Sequence, residues 1–250
     1  MADFDTAALD ARARYNLITG TVVPRPIALI TSLGADGRVN AAPFSYFNAL
    51  GSNPPIVAFS PGTHSVSPSR IKDTRRNVLT SKEFVVNMVS EELAEAMTIA
   101  AAVFPEDVSE TDYMGVTLLP SKQVAPPRIA ESPINLECRL VEDVTIGLNR
   151  ILFGEVVHFH LHDEIIDVER MHILWRNMNL LARMPGGGGI YCRTNDPLVI
   201  PRLTYEQVAA GVRFADLEPD DSAEEVEVTQ KIAPAIDELM RRARSAASSS

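Results

Sequence analysis

The chain has 250 residues, of which 46% are hydrophobic and 22% charged, and its formal net charge is −10. Such a chain can bury one substantial core, and its acidic balance excludes nucleic-acid binding by bulk electrostatics. The longest apolar run, residues 99–104, is too short to cross a membrane, and the N-terminus lacks the basic start and apolar middle of a signal peptide. We therefore expect a cytoplasmic protein that binds neither nucleic acid nor membrane.

The first sixty residues predict an arm or short helix followed by three strands. Residues 1–20 are polar with scattered apolar positions, and residues 27–33 form a β-branched run bounded by turn residues. The segment 34–37, Gly-Ala-Asp-Gly, is typical of a hairpin turn because Asp and Gly tolerate positive φ values. Residues 39–45 would return as the second strand and residues 56–60 would form the third, so we expect antiparallel neighbours.

An uncharged run of hydroxyl, aromatic and amide side chains ends the second strand. It consists of Ser45, Tyr46, Phe47 and Asn48. Short polar groups can hydrogen-bond a flat ligand while aromatic rings cover it, so this composition predicts the wall of a binding site. The alternative is a strand end that carries a buried aromatic pair.

A basic cluster surrounds the start of a predicted helix, for which Asp73 is the candidate N-cap. The four basic residues are Arg70, Lys72, Arg75 and Arg76. Cations are disfavoured near a helix N-terminus unless an anion is bound there, so the cluster indicates a phosphate site. The alternative is a solvated basic face that pairs with Asp73 or Glu83.

The middle of the chain predicts a strand and two helices. Residues 84–89 form an apolar run, and residues 91–102 predict a helix that Ser90 caps. Residues 174–182 also predict a helix. The buried face of the helix over 91–102 is expected to carry Leu93, Met97 and Ala100.

Residues 135–144 alternate between apolar and polar side chains and predict a half-exposed strand. Its solvent-facing side is expected to carry Asn135, Glu137 and Arg139. The two cysteines of the chain have no metal-ligand spacing, so we expect them to be buried free thiols.

Residues 151–162 predict another strand with three histidines on one face, His158, His160 and His162. No further cluster of ligand residues accompanies them in the sequence, so we assign no metal site. Two interpretations stay open: a half-exposed strand face, or a single histidine, His158 or His160, that reaches a ligand.

Residues 186–189 are four glycines, but no phosphate-binding glycine motif is present. A flexible loop that lets backbone approach a ligand or a partner subunit is the better interpretation. Residues 222–247 are amphipathic and predict helix on either side of Pro234, which would dock on a partner subunit or fray in solution.

Taken together, these segments resemble the flavin reductase-like family. The motifs that carry the resemblance are Pro-Arg-Pro-Ile at 24–27, Asn-Ala-Ala-Pro-Phe-Ser-Tyr-Phe-Asn at 40–48, Asn-Pro-Pro at 53–55, Lys-Asp-Thr at 72–74 with Asn77, Pro-Arg-Ile-Ala-Glu-Ser-Pro at 127–133, and Glu137-Cys138. The resemblance implies a mainly β, α+β fold with peripheral helices: a homodimeric, six-stranded, antiparallel split β-barrel that binds FMN, or sometimes FAD, near the subunit interface. It places this domain at residues 15–205, after an N-terminal arm at 1–14 and before an acidic C-terminal extension at 206–250.

Carried onto this sequence, the resemblance implies that Ser45, Tyr46, Phe47 and Asn48 line the isoalloxazine and ribityl chain. It also implies that Lys72 and Thr74 hold the phosphate. These are the two sites that composition and helix electrostatics had already indicated.

The expected activity is that of an NAD(P)H-dependent flavin oxidoreductase. Hydride transfer to flavin needs no protein acid or base at the reacting carbon, and the sequence offers no triad or carboxylate dyad, so no catalytic residue is assigned. Electrons would pass to a flavin-dependent monooxygenase partner or to a small substrate such as a nitro- or oxygenated aromatic acid. The alternatives are a non-catalytic flavin-binding or interaction protein and a barrel without flavin.

Overall fold

The computed structural model describes residues 1–62, 71–105, 107–186, 189–196, 200 and 203–213. The chain divides into two units, Met1–Asp196 and Pro197–Ser250. The described part of the second unit contains a short helix, Tyr205–Ala209, whose N-cap Thr204 forms a capping box with Gln207. The helices predicted in residues 222–247 lie outside the described residues.

The first unit consists of short helices around β-strands. The strands are β1 (Arg25–Pro26), β2 (Ala28–Leu33), β3 (Val39–Phe44), β4 (Phe47–Ser52), β5 (Pro55–Phe59), β6 (Glu83–Met88), β7 (Leu118–Leu119), β8 (Arg128–Ile129), β9 (Ile134–Ile146), β10 (Asn149–Leu161), β11 (Ile166–Asp167), β12 (His172–Ile173), β13 (Leu181–Arg183) and β14 (Tyr191–Arg193). The α-helices are α1 (Ala11–Thr21), α2 (Asp73–Ser81), α3 (Ala94–Ala100) and α4 (Thr111–Met114), and 3₁₀ turns occupy Thr6–Ala8, Glu91–Leu93, Asp163–Ile165 and Trp175–Asn177. None of the described helices is long and apolar enough to span a membrane.

The main sheet is antiparallel and runs in the order β3-β2-β6-β9-β10-β5-β4. It includes all six strands that the sequence predicts, together with a seventh, β4. The described residues thus form one seven-stranded sheet with β3 and β4 at its ends, rather than a closed barrel of six strands. The sequence does not predict β4, because Gly51 and Ser52 are typical of turns. In the structure β4 pairs with β5, and the register of this pairing is irregular between Ala49 and Gly51.

Two apolar cores flank the strands. The main core contains a chain of three packed rings, in which Phe59 lies 5.2 Å from Phe44 and 5.3 Å from Phe84 between ring centroids. The second core packs α3 and the 3₁₀ turn before it against β2 and β3. The buried face predicted for this helical region is confirmed, because Leu93, Met97 and Ala100 are all buried.

Three helix predictions need correction. The N-cap of α2 is Lys72, and Asp73 lies in the first turn, where it pairs with Arg76 at 2.6 Å. Ser90 precedes a 3₁₀ turn, and its side chain makes no capping hydrogen bond. The helix predicted over 174–182 is wrong: the segment forms a 3₁₀ turn and then enters β13, because pairing with β1 and β14 overrides its local preference.

The polar face of β9 is buried over its first half, not exposed as predicted. Asn135 donates to Asn87 Oδ1 at 2.9 Å and to the Ile129 carbonyl at 3.0 Å. Glu137 is 0% exposed because the segment after β7 covers it, and only Arg139 on this face reaches solvent. Each buried polar group therefore has partners, as a polar group inside a core requires.

Two of the three histidines on β10 and after it have structural partners. His160 Nε2 lies 2.5 Å from Glu137 Oε1, and His162 Nε2 lies 3.0 Å from the Ala130 carbonyl oxygen. The His158 ring lies 4.6 Å from the His160 ring between centroids. The hydrogen bond between His160 Nε2 and Glu137 accounts for the position of His160 without a ligand.

Candidate functional site

A cleft of about 730 Å³ is lined by α1, β1 and the end of β3. Its wall also includes the end of α3, the end of β13 with the turn that follows, and Tyr191. Pro43 and Phe44 contribute from β3, and Met97 contributes from α3. We refer to this space as the larger cleft.

A second space of about 180 Å³, the smaller cleft, adjoins the larger one. Pro43, Phe44 and Ala101 line both clefts. The smaller cleft also contains Lys72 and Thr74, the two residues assigned to phosphate from the sequence. Two of the residues expected at the ring, Ser45 and Tyr46, and both residues expected at the phosphate thus line two adjoining clefts.

The four residues predicted to form a ligand wall are separated by the geometry of the chain. Ser45 and Tyr46 line the larger cleft, and the Ser45 hydroxyl accepts a 3.4 Å hydrogen bond from Arg25 Nε. Phe47 packs against the main core from β4, whereas Asn48 is exposed and its Oδ1 accepts the N–H of the next residue. Neither Phe47 nor Asn48 is part of the lining of these two clefts.

Tyr46 presents a protonated phenol to the larger cleft. Burial raises the pKa of Tyr46, and the nearby Tyr15 raises it further while Arg25 opposes the rise. The hydroxyl therefore stays a hydrogen-bond donor at neutral pH.

Lys72 combines features of an anion-binding residue. It is the N-cap of the nine-residue helix α2 but provides no side-chain cap, so the first N–H groups of the helix are free to bind another acceptor. Burial lowers the pKa of Lys72, and no carboxylate in the described part of the chain pairs with it. A half-buried ammonium group without a counterion is costly unless a ligand supplies the negative charge.

The other basic residues of the predicted cluster behave differently. Arg75 binds Asp143 at 2.7 Å, and Arg76 binds Asp73 at 2.6 Å. The solvated basic face paired with Asp73 or Glu83 that was the alternative for this cluster therefore describes Arg76, whereas Arg75 is largely buried and pairs with Asp143 instead. Arg70 lies outside the described residues.

Thr74 is 2% exposed, and its Oγ1 accepts a 2.9 Å hydrogen bond from Asn40 Nδ2. This bond uses the oxygen as an acceptor, so the hydroxyl proton remains available to a ligand in the smaller cleft. Asn40 orients that hydroxyl from β3.

Glu110 is a site residue that the sequence did not reveal. It lies immediately before α4, it lines the smaller cleft, and its Oε2 accepts the Ala41 N–H at 3.1 Å. Burial raises the pKa of Glu110, and the charge of Asp73 adds to the rise. No local pattern marks this residue, because its role depends on contact with a strand about seventy positions away in the chain.

Three arginines line the larger cleft, and sequence reasoning missed all of them as site residues. They are Arg12 from α1, Arg25 from β1 and Arg183 from β13. Arg25 and Arg183 are register partners across the β1–β13 pair. Pro-Arg-Pro at 24–26 was used only as a motif of the family resemblance, and Arg183 followed a segment predicted to be helical, so nothing in the sequence indicated that Arg25 and Arg183 meet.

A family model and solved structures place this chain in the same protein family. Residues 20–178 match the family model described as "Flavin reductase like domain". Ser45, Tyr46, Lys72 and Thr74 lie inside the matched range, whereas Arg12 and Arg183 lie outside it.

Solved structures agree with this match. The 2-nitrobenzoate 2-nitroreductase NbaA of Pseudomonas fluorescens is 35% identical, with a TM-score of 0.73 over 82% of this chain and 98% of that one. Nitrilotriacetate monooxygenase component B of Bacillus cereus is 28% identical, with a TM-score of 0.74 over 79% of this chain and 98% of that one. A protein of Shewanella frigidimarina described as a flavin reductase with a split barrel domain is 22% identical, with a TM-score of 0.68 over 82% of this chain and 100% of that one, and it shows the similarity of fold alone.

Proposed function

The chain belongs to the flavin reductase-like family, and from this premise we propose that it binds FMN and reduces it with NADH or NADPH. FAD, which carries the same ring, is the alternative flavin. The observation that carries the proposal is Lys72: a half-buried cation at an uncapped helix start, without a carboxylate partner among the described residues and in contact with an aromatic wall.

The phosphate end of FMN fits the smaller cleft. Lys72 supplies a charge, the first turn of α2 supplies N–H groups, and the Thr74 hydroxyl supplies a further donor. Together these are the components of a phosphate site at a helix N-terminus. We therefore assign Lys72 and Thr74 to the phosphate.

Two acidic residues of the same cleft need not repel a phosphate. Asp73 is paired with Arg76, which compensates its charge. The pKa of Glu110 is raised by burial and by Asp73, which favours its neutral form. A bound phosphate would favour that neutral form further.

The ring end of the flavin fits the larger cleft. Phe44 separates the two clefts, and Ser45 and Tyr46 provide two hydroxyl groups beyond it. We assign these residues to the isoalloxazine and ribityl chain. Phe47 and Asn48 line neither cleft of this chain, so their predicted contact with flavin would require the second subunit of a homodimer.

A homodimer is supported by apolar side chains that the single chain leaves exposed. Leu17, Ile18 and Val22 are exposed on and after α1, and Leu50 is exposed on the edge strand β4. Exposed apolar side chains of this kind are candidates for burial in a protein interface. We propose that two copies of the domain at 15–205 pair through α1 and β4. Along each chain, the arm at 1–14 precedes this domain and the extension at 206–250 follows it.

A bound flavin would supply the chemistry of hydride acceptance from the nicotinamide nucleotide and of electron transfer to an acceptor. The chain would bind, orient and shield the reactants, which explains why no acid–base pair is needed at the reacting carbon. We propose a cytoplasmic location, where both nucleotides are available.

The acceptor is either a small molecule or a monooxygenase partner. Similarity to a 2-nitrobenzoate 2-nitroreductase supports a small aromatic or nitro substrate, and similarity to a monooxygenase component B supports a partner enzyme.

Oxidation of NADH and NADPH by the purified full chain tests the proposal, with FMN present and with or without 2-nitrobenzoate. We expect oxidation that depends on FMN and accelerates with the nitro compound. Turnover of free FMN without acceleration would support transfer of reduced flavin to a partner. FMN binding without any oxidation would contradict the proposed activity and leave a non-catalytic flavin-binding protein.

A further inference from the structure

We propose that the larger cleft binds the carboxylate of an aromatic acid and that Arg12 and Arg183 are the residues that contact it. The inference deepens the proposed function and rests on it, because it names the chemical class of the electron acceptor. The two arginines lie outside the residues matched to the family, so the proposed selectivity belongs to this chain.

The charge of the larger cleft is opposite to that of the whole protein. The chain has a net charge of −10, yet three arginines line this cleft, and no aspartate or glutamate is among its lining residues. By contrast, the smaller cleft contains Lys72 together with Asp73 and Glu110. A concentration of positive charge in a concave surface attracts anions and raises their local concentration.

The arginines are placed at an energetic cost that an anion would offset. Arg25 and Arg183 oppose each other across the β1–β13 pair, and like charges in such cross-strand positions repel. Arg25 is also 8% exposed, and its hydrogen bonds go to uncharged oxygens: the Thr19 carbonyl, the Val22 carbonyl at 3.2 Å and the Ser45 hydroxyl at 3.4 Å. A buried guanidinium group without a carboxylate is unfavourable unless a ligand compensates its charge.

The three arginines divide into one positioning residue and two ligand contacts. The Arg25 guanidinium group already donates hydrogen bonds to carbonyl groups at the end of α1 and to the Ser45 hydroxyl. It therefore holds these wall residues in place and contributes mainly its positive charge to the cleft. Arg183 stacks on the Tyr191 ring at 4.9 Å, and among the described residues its side chain has one hydrogen bond, a long one of 3.3 Å to the Gly186 carbonyl. Arg12 has no hydrogen bond or ion pair in the part of the chain that the structure describes.

The chemistry of the remaining wall selects a flat ring. Tyr15 and Tyr191, which are not among the residues assigned to the flavin, also line the cleft. Aromatic side chains stack on aromatic ligands, and the planar guanidinium fork of arginine matches a carboxylate in two-point geometry. A ring that bears a carboxylate satisfies both parts of the wall.

Benzoate and benzamide provide the direct test, because the two have nearly the same shape and differ in charge. Isothermal titration calorimetry would measure their binding to the purified full chain, with FMN in excess and without it. We expect benzoate to bind more tightly than benzamide. We also expect Arg12→Gln and Arg183→Gln each to lower the affinity for benzoate roughly tenfold or more, while the affinity for benzamide changes little. Arg14→Gln is the matched control, since Arg14 lies on the same helix, does not line the cleft and carries the same charge.

Equal affinity for the two compounds, or an equal effect of Arg14→Gln and Arg12→Gln, would overturn the inference. A second arm measures the KM for NADH and NADPH in the same variants. If Arg12→Gln and Arg183→Gln raise that KM and leave benzoate affinity unchanged, the arginines bind the nucleotide pyrophosphate and the inference is wrong. Failure of benzoate binding with FMN-dependent NAD(P)H oxidation intact would refute the inference alone, whereas benzoate binding without oxidation would refute the proposed function alone.

Discussion

The ammonium group of Lys72 lies 5.6 Å from the centroid of the Phe44 ring. This distance is within the range of a cation–π contact, and Phe44 is also part of the wall that the two clefts share. A single aromatic side chain therefore connects the proposed phosphate site with the proposed ring site. It also anchors the wall to the main core, in which Phe44 packs on Phe59 at 5.2 Å between centroids.

Lys72→Gln should weaken FMN binding roughly ten- to hundredfold, since a charge-assisted hydrogen bond to phosphate is lost. Fluorescence titration of FMN would measure the change. Lys82→Gln is the control, because Lys82 is an exposed lysine at the other end of α2 and should leave the affinity unaltered. Equal FMN affinity in the Lys72 variant and the wild type would show that the phosphate is bound elsewhere. Riboflavin, which has no phosphate, should bind both proteins alike.

Glu110 should make FMN affinity depend on pH. The pKa of Glu110 is raised above its ordinary value of 4.5, so the side chain is neutral below the raised pKa and becomes charged as pH increases through it. The new negative charge in the smaller cleft should weaken phosphate binding. Glu110→Gln should remove this loss, and FMN titrations over a pH series would reveal it as a difference between the two proteins. Ionisation of the FMN phosphate itself affects both equally and cancels in the comparison, and the exposed Glu92→Gln should behave like the wild type.

Glu137→Gln should destabilise the fold by about 1–3 kcal/mol, because an amide cannot accept all the hydrogen bonds that the buried carboxylate accepts. Those bonds come from the N–H groups of Lys122 at 2.7 Å and Gln123 at 2.5 Å and from His160. Urea unfolding would measure the loss, with Glu142→Gln on the exposed part of the same strand as the control.

The same residue should contribute to acid sensitivity. Burial alone would raise the pKa of Glu137, but the bonds from His160 and from the N–H groups of Lys122 and Gln123 outweigh it and lower the pKa below 4.5. The stability that Glu137 contributes is therefore complete above pH 4.5 and is lost as pH falls through the lowered pKa. The Gln variant should lack this part of the pH dependence. An unchanged acid profile in the variant would argue against the role assigned to the carboxylate.

Gly154→Ala should destabilise the protein by about 1–3 kcal/mol through overpacking. A Cβ atom at position 154 would collide with Phe84 Cζ and lie 2.8 Å from Phe84 Cε1, and the Phe84 ring is fully buried and packed against Phe59. Gly51→Ala is the matched control on the same sheet, since its Cβ would meet only the Pro54 carbonyl oxygen at 3.8 Å. Thermal unfolding of both variants would compare them, and similar melting temperatures would contradict the packing argument.

The sequence predicted those features of the fold that depend on local pattern. β-branched and apolar runs, turn residues and alternation predicted β2, β3, β5, β6, β9 and β10, and the Gly34–Gly37 hairpin turn forms with Gly37 at φ +80° and its N–H bonded to the Gly34 carbonyl. The pattern failed at β4, where turn-like residues form an edge strand, and at residues 181–183, where pairing with β1 decides the conformation. It also failed on the polar face of β9, because the segment that covers Glu137 comes from outside the strand.

The site was predictable only where one segment carries the chemistry. Lys72 was predicted from a helix start and its adjacent basic residues, and Thr74 from the family resemblance, although the N-cap was placed one residue late; both residues line the smaller cleft. Glu110 and Arg183 could not be identified, because each reaches its cleft through contacts with distant strands. Clefts formed by several elements are a property of tertiary structure, and residue spacing alone does not encode them.

The most direct test of the central claim is the visible absorption of the FMN-loaded full chain under anaerobic conditions before and after addition of NADH or NADPH. We predict that the flavin remains with the protein through desalting or is recovered by titration, and that its absorption is bleached by at least one of the two nucleotides. A chain that binds no flavin, or a bound flavin that neither nucleotide bleaches, would contradict the proposal that this protein is an NAD(P)H-dependent flavin oxidoreductase.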